Sequence, residues 1–321
     1  MNAQEKFDKF LTKNPHPHVA FFNRPHLSRR RFFEVLGAGV TGSYLVQRAG
    51  LGANTVVTPQ LPESPKGTAK NVIFILLAGA PSHVDTFDFK MTNGVTPAAA
   101  APETINGILW PTGILPNLAK NINDFTLVRS MSSHALVHSL GQTWTQIGRN
   151  PAAALGNIAP NIGSIVAAEK FAQRKPTDIF PTFLALNSNG AVNQGYLSGK
   201  YAPFKVQANA AGISNTTNAT GQTRFENRFK LLNSLDSSLR TAGPNGVQME
   251  DYNEYYIDAK QLMYNPTVNQ YFGYPAAEST RYGATGTGNA MLVASQVLKA
   301  NLGTRFIQIT SNDGWDMHSS I

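Results

Sequence analysis

The segment Asn71-Val-Ile-Phe-Ile-Leu-Leu-Ala-Gly-Ala-Pro-Ser-His-Val-Asp-Thr-Phe-Asp-Phe-Lys90 sets the frame for the whole chain. Seven strand-forming residues, Asn71 to Leu77, run into a small-residue turn and then into His83, Asp85 and Asp88. A continuous apolar run bounded by turn signals reads as a β-strand buried on both faces. In open parallel sheets, ligands bind just beyond the carboxyl ends of the strands, so these three polar side chains stand where an α/β enzyme builds a site. The segment alone is explained equally well by Asp85 and Asp88 capping the next helix while His83 fills the turn.

Working outward, the chain alternates between the two kinds of element. Residues 91–113, rich in Ala, Pro, Thr and Gly, read as an irregular surface insertion. Leu115 to Ile122 reads as a short helix with Pro116 early, and Phe125 to Arg129 as a second strand. Asn157 to Phe171 reads as a helix with Pro160 in its first turn, and Thr182 to Leu186 as a third strand. A polar loop, residues 208–222, leads to two helices marked by Phe225, Phe229, Leu232 and Leu239, and by Tyr252, Tyr255, Tyr256 and Leu262. These stripes read as core. Asn289 is placed to cap a helix from Ala290 to Ala300, and Thr304 to Thr310 is a final β-prone run. Strands alternating with helices predict a parallel sheet with helices on both faces.

The 321 residues, 42% hydrophobic and 14% charged, suffice for a large core. The formal charge of +8 is carried mostly by residues 1–50, where eight Lys and Arg face three Asp and Glu. A nucleic-acid-binding domain concentrates its cations on the folded body, so nucleic acid is excluded as the expected partner. With no cysteine there is no disulfide frame, no thiolate metal site and no cysteine nucleophile. Ser28-Arg-Arg-Arg-Phe-Phe33 precedes the short, Gly-rich apolar stretch Val35 to Val46 and resembles a twin-arginine leader. That stretch is too short to cross a bilayer stably. The expectation is an address and not an anchor: residues 1–53 as signal region, 54–69 as linker and 70–321 as the domain. The translocase of that pathway is then the partner during export, with a periplasmic or otherwise exported location.

Outside the leader the histidines are His83, His134, His138 and His318, each just after a predicted strand. Asp85, Asp88, Asp313 and Asp316 accompany them. Imidazole and carboxylate together suit divalent cations, so the expectation is one shared metal or acid–base cluster at the carboxyl edge.

Ala78 to Lys90, Gly195-Tyr-Leu-Ser-Gly-Lys-Tyr-Ala-Pro-Phe204 and Asn312-Asp-Gly-Trp-Asp-Met-His318 together resemble the exported bacterial family called domain of unknown function 1501. The resemblance covers most of residues 28–321. It implies an alkaline phosphatase-like, three-layer α/β/α sandwich, with metal-assisted attack on phosphate or sulfate esters. Departures from that superfamily stand out. Ala78 and Gly79 occupy the strand end where it keeps a metal-binding Asp, which leaves that role to His83 and Asp85. The nucleophile position, counted back from Gly148, is His138, with Ser139 adjacent, and the formylglycine signature is absent.

These readings give an exported hydrolase of small phosphate or sulfate esters, dependent on Zn, Mg, Ca or Mn. His83, Asp85, His138, Asp316 and His318 are the metal ligands. His138 and Ser139 are the nucleophile candidates, and Asp88 or Asp313 orients water or an imidazole. The alternative is a non-catalytic binding or structural protein on the same fold. Because Ile321 follows a predicted strand so closely, the chain is also expected to be truncated at its C-terminus.

Overall fold

Apolar runs from opposite ends of the chain meet in one parallel sheet. The structure, a computed structural model, describes residues 67–132, 135–152, 156, 158–188, 192–242 and 246–316. The leader, His134 and His318 lie outside them. The strands are β1 (Val72–Leu77), β2 (Pro102–Ile105), β3 (Ile108–Pro111), β4 (Phe183–Leu186), β5 (Phe204–Val206) and β6 (Phe306–Ser311). The helices are α1 (Pro116–Ala119), α2 (His138–Ile147), α3 (Ile162–Phe171), α4 (Gln222–Ala242), α5 (Gly246–Leu262), α6 (Pro266–Phe272), α7 (Ala276–Arg281) and α8 (Gly286–Ala300).

The main sheet has the order β1-β6-β4-β5, and every neighbouring pair is parallel. β6 is central, with Val72 opposite Phe306 on one side and Phe183 opposite Phe306 on the other. Alternating side chains point to opposite faces. Leu184, Leu186, Ile307 and Ile309 pack with Ala290, Val293, Ala294 and Val297 of α8 and with Val268 and Phe272 of α6. Phe183, Ala185 and Phe306 face the other way and pack with Ala167 of α3. The rings of Phe183 and Phe306 meet edge to face at 5.2 Å. Helices on both faces of a parallel sheet agree with the α/β expectation.

Three buried amides fix how the α2 and α3 layer sits. Asn161, which caps α3 by accepting from Gly163 N, donates to Gln308 Oε1 at 2.9 Å. Gln308, in the middle of β6, donates to Gln146 Oε1 at 2.6 Å, and Gln146 donates to Gln142 O. Each amide pairs with the next, as buried polar groups must.

Several expectations are corrected. β1 is not buried on both faces: it pairs only with β6 among the described strands, and Val72, Ile73 and Ile75 are 42%, 47% and 42% exposed. Residues 125–129 form no strand, because Phe125 packs instead on Trp110 with ring centres 5.7 Å apart. The supposed irregular insertion contains the β2–β3 hairpin, closed by Asn106-Gly107 with φ of 51° and 78°. That pair of left-handed residues is the preferred two-residue hairpin turn. Pro160 precedes the first turn of α3 rather than lying in it, and α8 is capped by Thr285, not by Asn289.

Candidate functional site

The carboxyl edge of the sheet is where the chain brings its polar groups together. β1 stays bonded to β6 through Ala78 N and Ser311 O at 2.9 Å, and then turns through Gly79 and Ala80, with φ of 100° and 76°. Left-handed backbone at a non-glycine residue is uncommon, and Ala80 adopts it here at a strand end. On the neighbouring strand the chain leaves β6 through Asn312 to Asp316, and the backbone of Asp316 lies directly against Gly79. His138 is the first residue of α2. Its Nε2 lies 2.9 Å from Asp316 Oδ2, and both side chains remain partly exposed. Beside this pair lies a cleft of about 460 Å³ between Leu77, Ala80 and Pro81 on one wall and Val137, His138 and Gln142 on the other. With Nε2–H donated to the carboxylate, Nδ1 is left as the basic nitrogen. Ser139 follows on the same helix, so its side chain leaves the axis about 100° from that of His138.

A second group tightens the loop that carries Asp316. Ser311 Oγ donates to Asp313 Oδ2 at 2.8 Å and accepts from Trp315 Nε1 at 2.7 Å. Thr287, in the first turn of α8, bonds through its hydroxyl to both Ser311 Oγ and Asp313 Oδ2. Asp313 therefore meets hydroxyls, not an imidazole. Asn312 Nδ2 donates to Asn187 O at 3.2 Å, tying the loop to the end of β4.

The remaining predicted residues lie on the loop after β1. Ser82 donates to Asp85 Oδ2 at 2.5 Å. Asp88 accepts from Lys90 Nζ at 2.9 Å and lies 3.6 Å from Arg129 Nε. The Lys90 hydrogen bond holds the Asp88 carboxyl below its usual range, and the charges of Lys90, Arg129 and His83 act in the same direction. His83 and Asp88 line a different cleft, with Phe87, Leu127 and Arg129.

Among the described residues, His138 meets Asp316, Asp313 joins Ser311, Asp85 joins Ser82, and His83 lines one cleft with Asp88. Among the described residues no group of three or more His, Asp or Glu stands close enough to hold a metal ion. His138 and Asp316 supply two donors, short of the set that a closed divalent site uses. Sequence reasoning missed Gln146, Gln308, Thr287, Ser311 and Arg129. Of these, Thr287 carried a signal, since Thr285-Gly-Thr-Gly288 combines a capping residue with a glycine-rich helix start.

A four-stranded parallel sheet flanked by helices, with a group of polar side chains at its carboxyl edge, defines an α/β protein. The chain belongs to the family described as Protein of unknown function (DUF1501), which matches residues 69–321. No curated protein and no solved structure matches it.

Proposed function

We propose that this protein is an exported hydrolase of phosphate or sulfate esters, on an alkaline phosphatase-like fold, and that the His138–Asp316 pair marks its reacting centre. The observation that carries the reading is the 2.9 Å contact between His138 Nε2 and Asp316 Oδ2 beside an open cleft at the carboxyl edge. In such a pair the carboxylate fixes the imidazole's orientation and tautomer. His138 Nδ1 then takes the proton of an attacking water and can return it to the departing alcohol. Should a divalent ion be part of the site, it would add charge neutralisation at the ester oxygens. Were such an ion held by His138 Nε2 and Asp316 in place of their mutual contact, His138 would serve as ligand instead of base, with His318 as a candidate third donor outside the described residues.

The rival reading is a non-catalytic binding protein on the same fold. One observation favours it: the backbone of Asp316 fills the space where a side chain at Gly79 would stand, so position 79 has no room for a carboxylate. The deciding experiment combines elemental analysis of the purified protein with a screen of 4-nitrophenyl phosphate and 4-nitrophenyl sulfate, before and after supply of Zn, Mg, Ca and Mn. Turnover that falls at least about a hundredfold in both His138→Asn and Asp316→Asn supports the hydrolase. No turnover under any of these conditions leaves the binding protein. Export by the twin-arginine translocase is proposed from the leader and is tested by changing Arg29 and Arg30 to Lys and following the protein to the periplasm.

A further inference from the structure

The second cleft, about 350 Å³ and separate in its lining from the one beside His138, has a charge balance of its own. Among the described residues Asp88 is the one carboxylate that lines it. That carboxylate is bonded to Lys90 at 2.9 Å and makes a longer ion pair with Arg129 Nε at 3.6 Å, beyond ordinary hydrogen-bond range. Lys90, which does not line the cleft, answers the Asp88 carboxylate, and Arg129 and the imidazole of His83 are the basic groups of the lining. The opposite character lies alongside. Phe87, Leu127 and Val128 form an apolar wall, and the Phe87 ring is braced edge-on by the fully buried Trp110 at 6.1 Å. Trp110 is in turn anchored by its Nε1 hydrogen bond to Leu115 O. A cavity of this size, with one apolar wall and a few convergent polar groups, has the form of a small-molecule site.

We propose that this cleft binds a small organic anion, with its acidic group held by Arg129 and His83 and its aromatic or branched body laid against Phe87, Leu127 and Val128. The site does not depend on ester hydrolysis at His138. Arg129 supplies a planar fork suited to an oxyanion. The braced wall supplies affinity that an inorganic ion cannot use.

The test is calorimetric titration of the full chain at low ionic strength with 4-methylbenzenesulfonate and, separately, with inorganic sulfate. The sulfonate should bind at least about tenfold more tightly than sulfate. Arg129→Gln should weaken it by about tenfold or more, Arg129→Lys by less, and His138→Asn should leave it within about twofold. Circular dichroism reports whether each variant is folded. If Arg129→Gln is not, His83→Gln takes its place and should also weaken the sulfonate. Equal affinity for the two anions, an Arg129→Gln or His83→Gln protein that binds like the parent, or no saturation below about 10 mM would each overturn the proposal. Binding that survives in a protein without turnover would sustain this site while the hydrolase reading fails.

Discussion

A Cβ added at Gly79 would stand 2.9 Å from the backbone nitrogen of Asp316 and 3.0 Å from its Cβ. The turn after β1 and the loop after β6 are therefore in backbone contact, and the position of Asp316 beside His138 depends on Gly79 having no side chain. Gly79 also has a φ of 100°, where an L side chain is strained. Gly79→Ala should cost on the order of 2 kcal/mol of stability. It should also move Asp316 off His138, so that any turnover falls further than the stability loss explains. Urea unfolding and kcat, measured on the same preparation, separate the two effects.

The buried amide chain gives a second prediction. Gln308→Leu leaves Asn161 Nδ2 and Gln146 Oε1 without their partner in the interior, which should destabilise by about 2 kcal/mol. The double variant Gln146→Leu/Gln308→Leu removes one of those two orphans and should recover part of the loss. Equal stability of single and double variants would show that the amides do not act as a chain.

A third prediction concerns pH. Burial pushes the Asp258 carboxyl on α5 from 3.8 up to about 6; Arg174 opposes the shift and Glu254, one turn earlier, adds to it. The native state then holds a proton that the unfolded chain releases. The contribution of this carboxyl to stability is most favourable below about pH 4, declines as pH rises from about 4 to 6, and stays lower above. Asp258→Asn should abolish that decline and leave the protein more stable at pH 7.5, by on the order of 2 kcal/mol. Urea unfolding at pH 4.5 and 7.5, with and without the substitution, gives the four values required.

The β2–β3 hairpin supplies a fourth. Gly107 has a φ of 78° with open space around it, so Gly107→Ala meets backbone strain and no clash. The expected loss is roughly 1 to 2 kcal/mol, while Asn106→Gly, which keeps the left-handed turn, should change stability by less than half as much. Thermal melts of the two variants decide it.

That hairpin also shows where the sequence was readable and was misread. Asn-Gly between β-prone neighbours is a strong local signal, and the Ala- and Pro-rich residues around it outweighed it. The predicted strands at Thr182 to Leu186 and Thr304 to Thr310 match β4 and β6 closely, because short β-branched and aromatic runs between turns have few alternatives. Phe125 to Arg129 has the same local look and fails, because tertiary packing gave Phe125 to Trp110 and Leu127 to a cleft wall. The single pairing of β1 among the described strands was equally out of reach, since its apolar pattern reports how β1 could be buried and not which strands stand beside it. At the site, His138 was legible as a residue type and not as a partner. Its approach to Asp316 depends on how α2 sits on β6, a contact made through Gln146 and Gln308 with no local pattern to announce it.

β6 lies between β1 and β4, yet of the described strands it is the last to leave the ribosome. Until residues 306–311 emerge, β1 has none of its described partners and β4 has only β5, so the nascent chain carries Val72 to Leu77 without its β6 partner while residues 78–305 are made. The β1–β6 pairing is thus a step of high contact order, slow by nature. During that interval the nascent chain is a natural client for a holding chaperone.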